Sequence, residues 1–197
     1  MSDQDTISVY NAQAARYAAL TDEDNSADPQ LTRFIQSVRQ GGTVLDLGCG
    51  PGMSAAVMAQ SGLKVEAIDA STEMVKLAAK HPGVVAQQAA FGELDATEKY
   101  HGVWANFSLL HANRRDFPRH LAAIHKALKP NGVFYIAMKL GQGDGPDRLG
   151  RYYCYYSEDE LKQIVQDAGF TVTESYLGSG TGLDGSVSDW IGLATHA

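Results

Sequence analysis

The stretch Thr43 to Gly52, TVLDLGCGPG, decides the reading of this chain. TVLDL at 43–47 is short and almost continuously apolar, as expected of a strand covered on both faces. Gly48, Gly50 and Gly52 follow at once, and MSAAVMAQ at 53–60 reads as a helix whose small side chains let it pack close to a sheet. Glycines between a strand and a helix permit a tight turn and let a ligand approach the backbone. Counted from Gly48, the sixth position is Met53, so the loop reads GxGxG and misses the GxGxxG of a dinucleotide site. Pro51 also removes a backbone donor where a pyrophosphate would need one. The chain holds no GKS or GKT, which excludes a Walker loop.

Outward from this stretch, short β-branched runs alternate with helical ones, which predicts an α/β fold with a largely parallel sheet. KVEAID at 64–69 is a second strand, followed by a helix capped by Ser71 or Thr72 that carries Met74, Leu77 and Ala78. VVAQ at 84–87, GVWANF at 102–107 and VFYIAMK at 133–139 are the third, fourth and fifth strands. Phe117, Leu121, Ile124 and Leu128 form the apolar stripe of a helix that ends at the turn LKPNG. Ser157 with Glu160 forms a capping box, and Gly169 supplies the left-handed residue that closes that helix. FTVTESYL at 170–177 and SDWIGLAT at 188–195 have no helix between them and must pair antiparallel. Two further helices are expected around Val9 to Leu20 and Leu31 to Val38, joined by the acidic TDEDNSADP. Gly141 to Gly150, with four glycines and a proline, is expected to be a mobile loop.

At 197 residues and 44% apolar content, the chain buries roughly 70% of its unfolded surface on folding and needs no staple. With 16 Lys and Arg against 23 Asp and Glu, the net charge is −7, without the clustered cations of a nucleic-acid groove. Cys49 and Cys154 form no CxxC pattern, and no histidine spacing suits a metal. The first residues, MSDQDTISVYNAQAA, do not form a signal peptide, and no apolar run reaches 18 residues, so a cytoplasmic protein is expected.

Two carboxylates refine the ligand. Asp46 lies inside the buried first strand, where an unpartnered carboxylate costs several kcal/mol. Asp69 ends the second strand at the carboxyl edge of the sheet, where a side chain faces the ligand crevice and can accept both hydroxyls of a ribose. Two carboxylates with few donors suit a ligand carrying an ammonium and a sulfonium.

VLDLGCGPG, VEAIDAS, the LKPNG turn before a strand and the terminal strand hairpin together resemble the class I S-adenosylmethionine-dependent methyltransferases over roughly residues 40–197. The resemblance implies a Rossmann-like three-layer sandwich with a seven-stranded, mostly parallel sheet in the order 3-2-1-4-5-7-6 and strand 7 antiparallel. It also implies a single domain over residues 1–197, with residues 1–40 as a helical cap. S-adenosylmethionine would be the cofactor, leaving as S-adenosylhomocysteine. Gly48 and Gly50, with Asp46 and Cys49 nearby, would hold its methionine end, and Asp69 would bind its ribose. Ala70 and Met74 would flank the adenine. Ala90 stands where relatives often carry an Asp, leaving the backbone around Phe91 and Gly92 to meet the adenine amino group. Asn106 would end the fourth strand beside the cofactor, and Tyr10, Arg16 and Tyr17 of the leading helix would lie over it.

Methyl transfer needs alignment of the acceptor more than a catalytic triad. His111, Lys139 and Arg151 are the polar candidates at the acceptor, the two cations suiting an anionic or oxyanion-bearing molecule. GRYYCYYSEDEL resembles a subgroup related to tellurite-resistance proteins and to sugar or small-acid methylases. The expected partner is a small-molecule acceptor, with neither nucleic acid nor membrane involved, and the assembly a monomer or homodimer. The competing readings are a non-catalytic sensor of the cofactor or its product, and a methyltransferase acting on protein or RNA.

Overall fold

The computed structural model describes residues 4–21 and 28–197. At its centre stands β1 (Thr43–Leu47), paired in parallel with β2 (Lys64–Asp69) and with β4 (Tyr100–Asn106). β3 (Val84–Gln88) extends one edge, and β5 (Leu128–Lys139), β9 (Val187–His196) and β8 (Thr171–Thr181) extend the other. The seven-stranded sheet runs β3-β2-β1-β4-β5-β9-β8, with β9 antiparallel to both neighbours. This is the expected Rossmann-like order, β8 and β9 being the sixth and seventh strands of that sheet.

Alternation along the strands divides the core. Leu45, Leu47, Val103, Ala105, Phe134 and Ile136 face α5 (Phe117–Ala127) and α6 (Glu158–Asp167), which contribute Leu121, Ile124, Leu161 and Val165. Val44, Val65, Ala67, Trp104 and Tyr135 face the other way, toward α2 (Pro29–Ser37) and α3 (Met53–Gln60). Each of these large side chains contributes roughly 1.5–3 kcal/mol on burial. Ser71 caps α4 (Thr72–Ala78) through the Met74 N–H, and α4 packs on both β2 and β3.

Several local expectations are revised. The leading helix, α1, spans Gln4–Thr21 and starts well before Val9. α2 starts at Pro29 because Asp28 caps it, accepting from the N–H groups of Gln30 and Leu31 at 2.8 and 3.3 Å. The acidic linker expected between these helices falls mostly outside the described residues. LKPNG does not precede β5 but lies within it: Leu128 pairs with Tyr100, Val133 pairs with Gly102, and the intervening residues bulge through a left-handed Asn131. Ser157 caps α6 through the Glu160 N–H at 3.2 Å, but the Glu160 carboxylate turns to Arg114, so only half of the capping box forms. Segment 141–150 is not structureless, since β6 (Asp144–Pro146) within it pairs antiparallel with β7 (Tyr152–Cys154).

Candidate functional site

A cavity of about 750 Å³ opens at the carboxyl ends of β1, β2, β4 and β5. It lies within the size range of small-molecule sites. Its floor begins at the glycine loop. Gly48, Gly50 and Gly52 all have left-handed φ, of 74°, 54° and 84°. A Cβ on Gly48 would lie 2.3 Å from Ser108 Cβ, so glycine is required where the loop passes the end of β4. The amides of this loop are already spent. Those of Gly48 and Cys49 donate to the Ile68 carbonyl at 2.8 and 3.0 Å, and that of Gly50 donates to Asp69 Oδ2 at 2.9 Å. Pro51 has none. The loop therefore offers the cavity carbonyl oxygen and Cα surface, which suits a cation and gives a pyrophosphate nothing to bind.

Asp69 fixes the loop to β2. Its Oδ2 holds Gly50, its Oδ1 accepts from the Ser71 N–H at 2.8 Å, and both oxygens keep lone pairs toward the cavity. Burial raises its pKa, against the opposing pull of those two amides. Asp46 is more exacting. It is 3% exposed, takes a hydrogen bond from the Ala55 N–H in the first turn of α3, and leaves Oδ2 with no partner among the described residues. Burial, with the Asp69 charge adding to it, pushes its carboxyl up to about 7. An unpaired buried carboxylate oxygen lining a cavity is a site for a cation.

Trp104 pairs in register with Asp46 and with Tyr135, so the three side chains form one row on the same face. The Trp104 ring stacks on Tyr135 at 4.1 Å, and its buried Nε1 has no partner either. The glycine-loop half of the cavity thus presents an acceptor and a donor without partners among the described residues, on adjacent strands. Ala70, Met74, Cys49, Phe91, Asn106 and Tyr17 border the same space, as the sequence suggests. Two expected members lie elsewhere. Arg16 is exposed on the outer side of α1, and Gly92 faces Arg119 and His120 outside the cavity.

At the other end of the cavity, His111, Lys139 and Arg151 are brought together. The Tyr152 carbonyl lies 2.6 Å from His111 Nδ1, and a carbonyl only accepts, so Nδ1 carries the proton and Nε2 accepts from the Tyr10 hydroxyl at 2.9 Å. Burial pulls the His111 pKa down to about 4, so the ring is neutral. Arg151 is 2% exposed, donates twice to Asp147 at 2.9 and 2.6 Å, and donates to the Tyr10 oxygen at 3.1 Å. Its plane lies beside the rings of Tyr10 and Tyr153. Arg151 therefore works as an internal brace.

Tyr10, expected with Arg16 and Tyr17 on the leading helix, borders the cavity, while two further contributors escape a reading of the sequence. Tyr10 belongs to a polar face of α1: Thr6 accepts from the Tyr152 N–H at 2.8 Å, and Asn11 accepts from Ser71 Oγ at 2.8 Å, so α1 bridges β7 and α4 across the cavity. Asp147 sits in a glycine-rich stretch, its only signal being its spacing of four from Arg151. The far end of the β8–β9 hairpin supplies Thr181, Leu183, Ser188 and Trp190. Its trace in the sequence is the row Gly178, Gly180 and Gly182 opposite a tryptophan; a Cβ on Gly178 would lie 2.4 Å from the Trp190 ring.

The fold and this cavity define a class I methyltransferase architecture, and comparison with known proteins agrees. The methyltransferase domain family matches residues 15–175. The chain belongs to that family, among the class I S-adenosylmethionine-dependent methyltransferases. It is 31% identical over 164 residues to an O-methyltransferase, cnsE, of Penicillium expansum, covering 74% of this chain and 59% of the relative. The chain spans about half the length of the curated relatives it matches. Among solved structures, the 1,6-didemethyltoxoflavin N1-methyltransferase of Burkholderia thailandensis, crystallised with 1,6-didemethyltoxoflavin and S-adenosylhomocysteine, superposes with a TM-score of 0.69 at 22% identity, over 96% of this chain and 87% of that one. The [4+2]-cyclase SpnF superposes with a TM-score of 0.75 at 16% identity, over 96% and 93%. These two structural likenesses establish the fold, whereas the chemistry is set by the site.

Proposed function

We propose that this chain transfers a methyl group from S-adenosylmethionine to a small-molecule acceptor. The observation that carries the reading is the unpaired Oδ2 of Asp46 beside a glycine loop whose amides are spent, in a cavity that continues into a second half bordered by Phe107, Tyr153 and Trp190. When bound, the cofactor supplies an electrophilic methyl group on a sulfonium. Asp46 would take its ammonium, Asp69 its ribose hydroxyls, and Ala70, Met74 and Phe91 its adenine. α1 would act as a cap that excludes water from the reacting centre, held down through Thr6, Tyr10 and Asn11. The acceptor would enter beside Trp190, Phe107 and Lys139, where alignment does most of the work.

A small acceptor is supported by the cavity's position between α1 and the hairpin, and by the names of relatives such as the Penicillium O-methyltransferase. Turnover rather than sensing is supported by the space left at the acceptor end, which Phe107 and the tyrosines border without filling. Cys49 and Cys154 are free thiols, in keeping with a cytoplasmic location. No described helix is long and apolar enough to cross a membrane. Calorimetry tests the reading: S-adenosylhomocysteine should bind and NAD should not, and preferential NAD binding would overturn it.

A further inference from the structure

Among the described residues, the acceptor half of the cavity contains one cation without an ion pair or hydrogen bond, and assigning it a role rests on the methyl-transfer reading. Arg151 is paired with Asp147, and each of its three side-chain nitrogens donates a hydrogen bond. Lys139 differs. Its Nζ forms no ion pair or hydrogen bond with any described residue and stands 4.6 Å from the centre of the Tyr153 ring. The opposing charges nearby are Asp147, which is paired with Arg151, and Asp184 on the hairpin turn, whose Oδ1 accepts from the N–H and Oγ of Ser186 at 3.0 and 2.6 Å. Burial lowers the Lys139 pKa, with Asp184 opposing and Arg151 adding, so its ammonium is short of partners. Lys139 pairs in register with Trp190, which places the two side chains on one face of the sheet, both bordering the cavity. Phe107 meets the Trp190 ring edge-on at 5.9 Å and completes an apolar wall.

A second observation concerns the base. The lone pair of His111 Nε2 is taken by Tyr10, and Tyr10 and Tyr153 are held protonated by burial. An alcohol, a phenol or a protonated amine must surrender a proton to be methylated, whereas a carboxylate arrives already ionised. We infer that the acceptor is a small carboxylate with a flat or apolar body, one carboxylate oxygen on Lys139 Nζ, the body against Trp190 and Phe107, and the other oxygen the atom methylated. A lone pair of that oxygen forms the new O–CH3 bond as the C–S bond breaks and sulfur keeps the electron pair. The products are a neutral methyl ester and S-adenosylhomocysteine, and no proton moves.

The test is calorimetric titration at pH 7.5 of the chain saturated with S-adenosylhomocysteine, using benzoate and hexanoate against benzamide and hexanamide. The preceding titration with S-adenosylhomocysteine reports on methyl transfer alone, and failure there sinks that reading. Once it binds, the carboxylates should bind at least tenfold more tightly than the amides. Lys139→Met should erase the preference, Lys139→Arg should keep it, and both should bind S-adenosylhomocysteine as the wild type does. With S-adenosylmethionine, a methyl ester of the bound acid should appear by mass spectrometry. Amides bound as well as carboxylates, neither carboxylate bound, a preference that survives Lys139→Met, one lost in Lys139→Arg, or a bound acid never esterified would each overturn the inference.

Discussion

Tyr10 and His111, 101 positions apart, are joined by one hydrogen bond of 2.9 Å in which the phenol donates to Nε2. The Tyr152 carbonyl fixes that direction by claiming the proton on Nδ1. The bond ties α1 to the segment after β4 and closes the acceptor half of the cavity. Tyr10→Phe would leave Nε2 buried without a partner, at a cost of about 1–3 kcal/mol in urea unfolding. The same variant should release S-adenosylhomocysteine faster in stopped-flow displacement, because one anchor of the cap is gone. Wild-type stability and release would mean that the bond does not form in solution.

His111 and Asp46 should push the pH dependence of stability in opposite directions. The folded His111 has a pKa of about 4 against an ordinary 6.5, so between these values the unfolded chain binds more protons and stability rises with pH. The folded Asp46 has a pKa of about 7 against 3.8, so across that window the folded chain binds more protons and stability falls as pH rises. In the cofactor-free protein the two slopes offset each other from about pH 4 to 6.5. Relative to wild type, Asp46→Asn should gain on the order of 2 kcal/mol between pH 4.5 and 6.5, and His111→Gln should lose a comparable amount. Parallel profiles for all three proteins would refute both assignments.

Cofactor affinity should carry the mark of Asp46. Pairing with an ammonium requires the ionised carboxylate, so below about pH 7 binding must release a proton. Affinity for S-adenosylhomocysteine should climb as pH rises from 5 toward 7, by up to about tenfold per unit, and level off above. Asp46→Asn should bind more weakly and with a flat profile. Calorimetry in two buffers of different ionisation heat reads the released proton directly, and no proton release at pH 6 would remove Asp46 from the ammonium site.

The sheet and the cofactor half were legible in the sequence because both are built from consecutive residues. TVLDL, the three glycines and Asp69 carry their geometry in spacing alone, since a strand, a left-handed turn and the next strand's end are local facts. The acceptor half is assembled across the chain. Tyr10, His111, Asp147 and Trp190 meet only because α1 crosses the sheet edge and the β8–β9 hairpin folds over the cavity. Arg16 and Tyr17 are adjacent in sequence, yet helical geometry turns one to solvent and the other to Gly50. The loop amides mislead in the same way: their partners, Ile68 and Asp69, are fixed by the β1–β2 pairing and not by the glycine pattern.

Arg151 should behave as a structural cation. With side-chain exposures of 2% and 7%, Arg151 and Asp147 form a buried pair, and removing one partner strands the other. Arg151→Met should cost about 3–5 kcal/mol in urea unfolding, because the Asp147 carboxylate would be left desolvated and unpaired. Replacing both, as Arg151→Met with Asp147→Asn, should recover much of that loss, because the side-chain oxygen introduced at position 147 can still accept from the N–H groups of residues 149 and 151. A group that instead acted on the acceptor would show little loss of stability when replaced and a large loss of turnover. If Arg151→Met unfolds like wild type while methyl transfer collapses, the brace is the wrong description and Arg151 touches the acceptor.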